Sequence, residues 1–355
     1  MGIKINGIQQ LGIGVENLHE AWKWYRQHFA MDIRMFEDEA TAELMLPHTA
    51  GEPRPRHAVL ALNMRGGGGF EIWQHKGKVP EPPKFEINLG DLGINAGMLK
   101  TDNVEKAFRT FTAKGLNILG PVSEDPAGTE HFYLKDKYSN LWEVKHEKEV
   151  FRFEKSVTGG VYGAVIGVND MEESLKVYQK LLKYDKVVYD LKGTFSDFKS
   201  IHGGGSKFRR VLLKHSDVKA GAFSPFFGST CIELVQALER EPKSIFENRI
   251  WGDLGFIHLC FDINGMNEFR KQSEAAGFPF TVDSTRDSDT FDMGEAAGSF
   301  AYIQAPEGTL IELVETHKIP LLRKFGWYID FRKRGHHPLP VWMLKMFRFM
   351  RIRDK

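Results

Sequence analysis

Two stretches of the chain repeat each other at a fixed distance, and this repeat limits the possible folds more than any other feature. "GIQQLGIGVENLHEAWKWYRQHFAMD" (residues 7–32) aligns with "GVYGAVIGVNDMEESLKVYQKLLKYD" (residues 160–185) at an offset of 153. Gly14 and Val15 fall on Gly167 and Val168, Lys23 on Lys176, Tyr25 on Tyr178 and Asp32 on Asp185. A second pair, "GDLGINAGMLKTDN" (residues 90–103) and "GDLGFIHLCFDING" (residues 252–265), aligns at an offset of 162. The offsets differ by no more than a short loop, so the chain is a duplication with halves at 1–150 and 155–320.

Each half divides again. A short apolar strand such as "QQLGIGV" runs through an Asn or Asp turn into an amphipathic helix, with Trp22, Tyr25 and Phe29 three and four residues apart. Alternating runs separated by Gly-rich turns follow: "HAVLALNM", "GGGGFEIWQ", "FRRVLLKHS" and "STCIELVQ". The same order recurs from Leu92 to Val144 and from Gly255 to Val314. The chain therefore holds four units of one strand, one helix and about three strands, a class of α+β architecture.

A length of 355 residues suits about two domains, and 42% hydrophobic with 27% charged residues is ordinary for a globular protein. Two cysteines, Cys231 and Cys260, argue against a disulfide framework. A net charge of +1 makes no case for nucleic acid as partner. The first residues lack the basic start and apolar stretch of a secretory leader, so the cytoplasm is the expected compartment. The neutral total hides an asymmetry. From Arg323 to Lys355 ten Lys/Arg face two Asp, a net +8, which leaves −7 on the rest of the chain.

Four such units in tandem, with "HLCFDINGM" opening one and "APEGTLIELVETH" closing it, resemble the vicinal oxygen chelate superfamily, which includes glyoxalase I, methylmalonyl-CoA epimerase, extradiol dioxygenases and bleomycin-resistance proteins. The resemblance covers residues 5–318. It implies that βαβββ modules pair into two cup-shaped mixed sheets, here with both modules of a cup drawn from one half of the chain. It further implies ligands on the first and last strand of each module. The first-strand slot then holds Gln10, Ala96, Gly163 and His258, and the closing-strand slot Glu71, Glu143, Glu233 and Glu312.

Pairing within halves puts His258, Glu312 and Glu233 in one cup with Gly163. One imidazole and two carboxylates suit one divalent metal ion (Zn, Fe, Mn, Ni or Co) with coordination positions left for a substrate. The other half offers Gln10, Glu71 and Glu143, a possible second site of degenerate character, although some relatives use a glutamine in that slot. Period-two geometry puts Cys231 beside Glu233, and Cys260 and Asp262 beside His258, as candidate substrate contacts together with Gly163. The glycine reads equally as a place where strands crowd, and His258 as a member of a structural polar cluster. Two loops rich in aromatic and small residues, 221–230 and 288–300, are candidates for an apolar mouth.

The resemblance implies a metal-dependent lyase or isomerase acting on a small-molecule substrate through a chelated enolate, with Glu233 or Glu312 as base and Glu233 favoured. Two other classes stay open. An extradiol-type dioxygenase would want a histidine where this chain has Gly163; a binding protein of the bleomycin-resistance type would need no ligands. Residues 336–355, "HHPLPVWMLKMFRFMRIRDK", read on a helical wheel as a basic amphipathic tail with Trp342, Met343, Met346, Phe347, Phe349 and Met350 on one arc. Such a tail within 321–355 suits the inner face of a membrane, a partner, or packing on its own domain. The oligomeric state is not legible.

Overall fold

A computed structural model describes residues 2–217, 221–285, 291–292, 297–322, 327–331 and 337–353. Module 1 comprises β1 (Lys4–Gly14), α1 (Leu18–Phe29), β2 (Ile33–Ala42), β3 (Arg54–Leu62) and β4 (Gly69–His75). Module 2 comprises β5 (Gly93–Thr101), α2 (Val104–Ala113), β6 (Asn117–Glu124), β7 (Glu130–Lys135) and β8 (Leu141–His146). Module 3 has β9 (Val161–Gly167), α3 (Met171–Leu175), β10 (Lys186–Gly193), β11 (Phe208–Lys214), the one-turn α4 (Ser224–Phe227) and β12 (Cys231–Ala237). Module 4 has β13 (Gly255–Asn264), α5 (Met266–Ala275), β14 (Val282–Asp283), β15 (Phe291–Asp292), β16 (Ala297–Gln304), β17 (Leu310–Leu322) and β18 (Trp327–Asp330), and α6 (Val341–Leu344) follows it.

The helices start where side-chain caps allow. The Asn17 side chain accepts from the Glu20 N–H, Asn103 from Lys106, and Asp170 from Glu172 and Glu173, which satisfies amide donors that each first turn leaves free. The apolar stripe of α1 (Leu18, Ala21, Trp22, Tyr25, Phe29) is buried in the main core, which draws residues from both sheets.

Two mixed sheets form, as the four-module reading requires. One runs β14-β16-β17-β13-β1-β4-β3-β2, with β15 and β18 paired to β16 and β17; the other runs β10-β11-β12-β9-β5-β8-β7-β6. Module 1 therefore shares a sheet with module 4, and module 2 with module 3. This corrects the expectation that each half of the chain completes its own cup. The seams explain how. Where β1 meets β13, an added Cβ at Gly14 would lie 2.0 Å from the Asp253 carbonyl; where β9 meets β5, one at Gly167 would lie 1.9 Å from the Asp91 carbonyl. Each "GDLG" turn thus seats on the bare backbone of an "IGV" glycine, and the turn from module 4 seats on module 1.

The basic tail also departs from its wheel. After α6 the chain tightens into a 3₁₀ helix, Lys345–Met350, in which residues three apart eclipse. Leu344 and Phe347 are consequently buried and Met350 packs beside them, in a cluster with Phe223, Phe226 and Leu62, while Trp342 and Phe349 stay 63% and 72% exposed. The tail packs on its own domain. Among the described residues no helix is long and apolar enough to cross a membrane.

Candidate functional site

Because β1 pairs with β13 and β4, the first-strand and closing-strand slots of modules 1 and 4 meet inside one cup. Gly12 lies opposite His258, and the parallel β1–β4 and β13–β17 pairs bring Glu71 and Glu312 alongside. His258 Nε2 is 3.1 Å from Glu71 Oε2 and 3.2 Å from Glu312 Oε2. Gln10 Nε2 donates to the same two oxygens at 3.3 and 3.2 Å, and its Oε1 is buried without a partner. His258 is fully buried and the two carboxylates reach the surface of a cavity. Ligand atoms of Glu71, His258 and Glu312 all lie within 4.8 Å of one another.

Two carboxylates pressed together out of water repel unless positive charge lies between them. Burial by itself would push the His258 imidazolium pKa down; Glu312, and then Glu71, more than offset this and raise it to about 9. Burial would raise the Glu312 carboxyl, yet the neighbouring His258, with Tyr302 and Cys260 as hydrogen-bond partners, holds it below its usual value. Trp251 Nε1 lies 3.2 Å from His258 Nδ1 as its donor, an arrangement that requires the neutral ring with its proton on Nε2, at the point the carboxylates share. A cation could replace that proton. The donor set fits one: an imidazole, two carboxylate oxygens and an amide, at the floor of a largely apolar cavity that Arg56 and Glu43 also line.

The cavity has a volume of about 450 Å³. Its floor is Gln10, Glu71, Glu312, Tyr302 and Trp251, and its walls include Met35, Phe36 and Leu60. Phe223, Phe226 and Phe227 come from the 221–230 loop, as the expected apolar mouth, although that loop belongs to module 3. Phe347 and Met350 of the tail complete the wall. Of the 288–300 loop, Phe300 lines the cavity, and residues 288–290 and 293–296 lie outside the described residues.

The other cup is built differently, and it corrects two sequence expectations, the placing of Glu233 and that of Glu143. Glu233 is not beside His258. Its Oε1 accepts from Arg210 Nε at 2.6 Å and from the Tyr189 hydroxyl at 2.9 Å, while Arg210 Nη1 reaches Asp197 at 2.8 Å and its guanidinium lies 3.6 Å from the Phe198 ring centroid. Glu143 faces His131 Nδ1 at 2.7 Å and Lys145 Nζ at 3.1 Å, and Lys145 also pairs with Asp125 at 2.9 Å. Burial would raise the Glu143 carboxyl, but Lys145, then His131, bring it down to about 2. The slots of Ala96 and Gly163 supply no donor. Side-chain cations occupy the middle of this cup, so Glu143 and Glu233 form a structural polar network.

The expected substrate contacts also fall away from the cavity. Cys231 is buried in the second cup against Met98, and a Cβ at Gly163 would meet the Cys231 carbonyl at 2.2 Å, which is the strand-crowding reading of that glycine. Cys260 and Asp262 share the sheet of His258 but do not line the cavity, although the Cys260 thiol hydrogen-bonds Glu312 of its floor. Cys260 meets Gln9 at 3.6 Å, and the Asn6 amide donates to Asp262 at 2.6 Å. Sequence reasoning missed Trp251 and Tyr302. It also passed over a usable signal. The residue on the preceding strand, diagonal to each glutamate, is cationic in the second cup (His131, Arg210) and uncharged in the first (Ala58, Phe300).

Comparison with known proteins bears on this arrangement. Residues 7–144 match the model of the Glyoxalase/Bleomycin resistance protein/Dioxygenase superfamily. That stretch belongs to this superfamily. The superfamily's fold extends beyond it: glyoxalase I from Zea mays superposes with a TM-score of 0.53 at 13% identity over 88% of this chain and 92% of its own. A putative dioxygenase from Bacillus subtilis superposes at 0.55 and 10% identity over 88% and 86%. At such identities the likeness shows the fold alone. No curated protein matches the sequence.

Proposed function

We propose that the chain is a metal-dependent enzyme of the lyase or isomerase type, acting on a small oxygenated molecule with an apolar body. One observation carries the reading: Gln10, Glu71, His258 and Glu312, drawn from the two ends of the chain, converge on one point at the floor of an apolar cavity. These four would hold the ion. A divalent ion bound there supplies Lewis-acid polarisation of a substrate oxygen and stabilises negative charge developing on it.

The chain's own groups do the rest. Glu71 and Glu312, the two carboxylates at the cavity floor beside His258, are the candidate bases for a proton α to a carbonyl, a role typically worth roughly 10²–10⁴ in rate. Glu312 was expected in this role; Glu71 replaces Glu233 beside it. The Phe-lined walls exclude water, which strengthens every charge interaction at the floor. Phe347 and Met350 give the tail a part in selecting substrate shape.

The test is substrate-dependent proton exchange in D₂O with metal-loaded protein, across oxoacids, thioesters and hemithioacetals bearing aryl or long acyl groups. Glu71→Gln and Glu312→Gln should each reduce exchange, and His258→Ala should lose metal while Glu143→Gln keeps it. Metal retained in full by His258→Ala, or no exchange on any substrate, sinks the proposal. An extradiol-type iron site would want a second imidazole where this floor has Gln10, which favours the lyase or isomerase reading over the dioxygenase alternative.

A further inference from the structure

We infer that His19, Glu37 and His57 form a second divalent-cation site, separate from the cavity and on the opposite face of the β2–β3 hairpin. Alternation along a strand fixes the face. Arg56 and Leu60 of β3 line the cavity, so His57, between them in sequence, points to the other side with Val59 of the main core. In the β2–β3 register Glu39 lies opposite His57 and Glu37 opposite Val59, which places both carboxylates next to one imidazole. His19 reaches the same carboxylate from the first turn of α1.

The distances suit an ion. Glu37 Oε1 lies 3.2 Å from His57 Nε2 and 3.7 Å from His19 Nε2, and all three ligand atoms fall within 4.8 Å of one another. Tetrahedral zinc with bonds of 2.0–2.1 Å sets its ligand atoms roughly 3.4 Å apart, between the two observed values. The surrounding charges leave the right atoms free. Arg34 Nη1 takes the other oxygen of Glu37, Oε2, at 2.8 Å, so Oε1 remains for the ion. Glu39 Oε1 is 3.5 Å from His57 Nδ1, the place of the outer carboxylate that fixes the tautomer and orientation of a metal-bound histidine. Lys76 holds Glu39 in turn at 3.2 Å. Two imidazoles and one carboxylate, with water completing the shell, select Zn²⁺, Co²⁺ or Ni²⁺ over Mg²⁺ or Ca²⁺.

An ion here would tie the start of α1 to the hairpin whose inner face walls the cavity. Its role is thus a clamp on that wall. The experiment uses the full chain, stripped with chelator and titrated with Co²⁺, read by calorimetry and by visible absorption. Wild type should take up two equivalents, and His19→Ala one; His19 is 66% exposed, so this variant folds. Glu39→Gln should weaken the second equivalent about 10–100-fold. His258→Ala keeps the equivalent that His19→Ala removes, so failure at the cavity floor is told apart from failure here. Equal stoichiometry and affinity in wild type and His19→Ala overturns the inference, as does a second equivalent bound only above about 1 mM, the strength of an adventitious surface contact.

Discussion

Gly12 offers the sharpest perturbation of the candidate centre, because its missing side chain is what makes room for His258. A Cβ added at Gly12 would stand 2.5 Å from His258 Cε1, 2.7 Å from Nε2 and 2.8 Å from Nδ1, pressing on the face of the ring. An ordinary carbon contact begins near 3.4–3.5 Å, so in Gly12→Ala the ring must retreat by roughly 1 Å. It has little space: Trp251 lies nearly parallel to the ring at 18° and is hydrogen-bonded to Nδ1, which pins the ring's edge, and Tyr302 stands edge-on at 5.7 Å between centroids. Overpacking of this kind costs about 1–3 kcal/mol. With an unfolding entropy near 2.1 cal/mol/K per residue, that cost lowers Tm by only about 1–4 °C in a chain of this size. Metal affinity should suffer far more, since ligand positions tolerate only about ±0.2 Å. Elemental analysis after dialysis, run beside a thermal melt, should show folded protein depleted of metal, with Gly193→Ala as control because its added Cβ meets nothing within 4 Å. Full metal content in Gly12→Ala refutes the placement of the ion at His258.

Trp251→Phe should bind metal at least as tightly as wild type, because an ion on Nε2 moves the ring proton to Nδ1, where the Trp251 N–H would face it; a tenfold loss in titration contradicts the tautomer inferred here. Burial lowers the His131 pKa, but Glu143 and Asp197 raise it to about 9. Its stabilisation is therefore complete below the unfolded value near 6.5 and lost as pH rises through 9, an upper bound of about 3 kcal/mol. Denaturation of wild type against His131→Gln should show that pH-dependent difference, and parallel curves would contradict it. Phe347→Ala should cost about 3 kcal/mol in denaturant unfolding, whereas a tail that merely trails from the domain predicts almost none.

Much of the fold was legible because its signals are local. Strand alternation, the helical stripe of Trp22, Tyr25 and Phe29, and the caps at Asn17, Asn103 and Asp170 each act within one module. The pairing of modules was not legible, because two "IGV" strands and two "GDLG" turns are chemically interchangeable and either assignment seats a glycine on a carbonyl. Glu71 and Glu233 likewise sit in similar apolar runs, and only Arg210, diagonal to Glu233, tells them apart. The tail misled for another reason. A wheel drawn at 100° per residue misplaces Phe349 once the chain tightens to three residues per turn after Leu344.

The nesting of modules orders events during synthesis. Residues 93–237 complete their own sheet from adjacent modules, so that unit can condense while the remainder is still being made. Gln10 must instead wait for Glu312, 302 positions later, before the donor set exists at all. An interrupted polypeptide would leave the first module without its sheet partner, so ion uptake at the cavity floor reports that synthesis has passed Glu312.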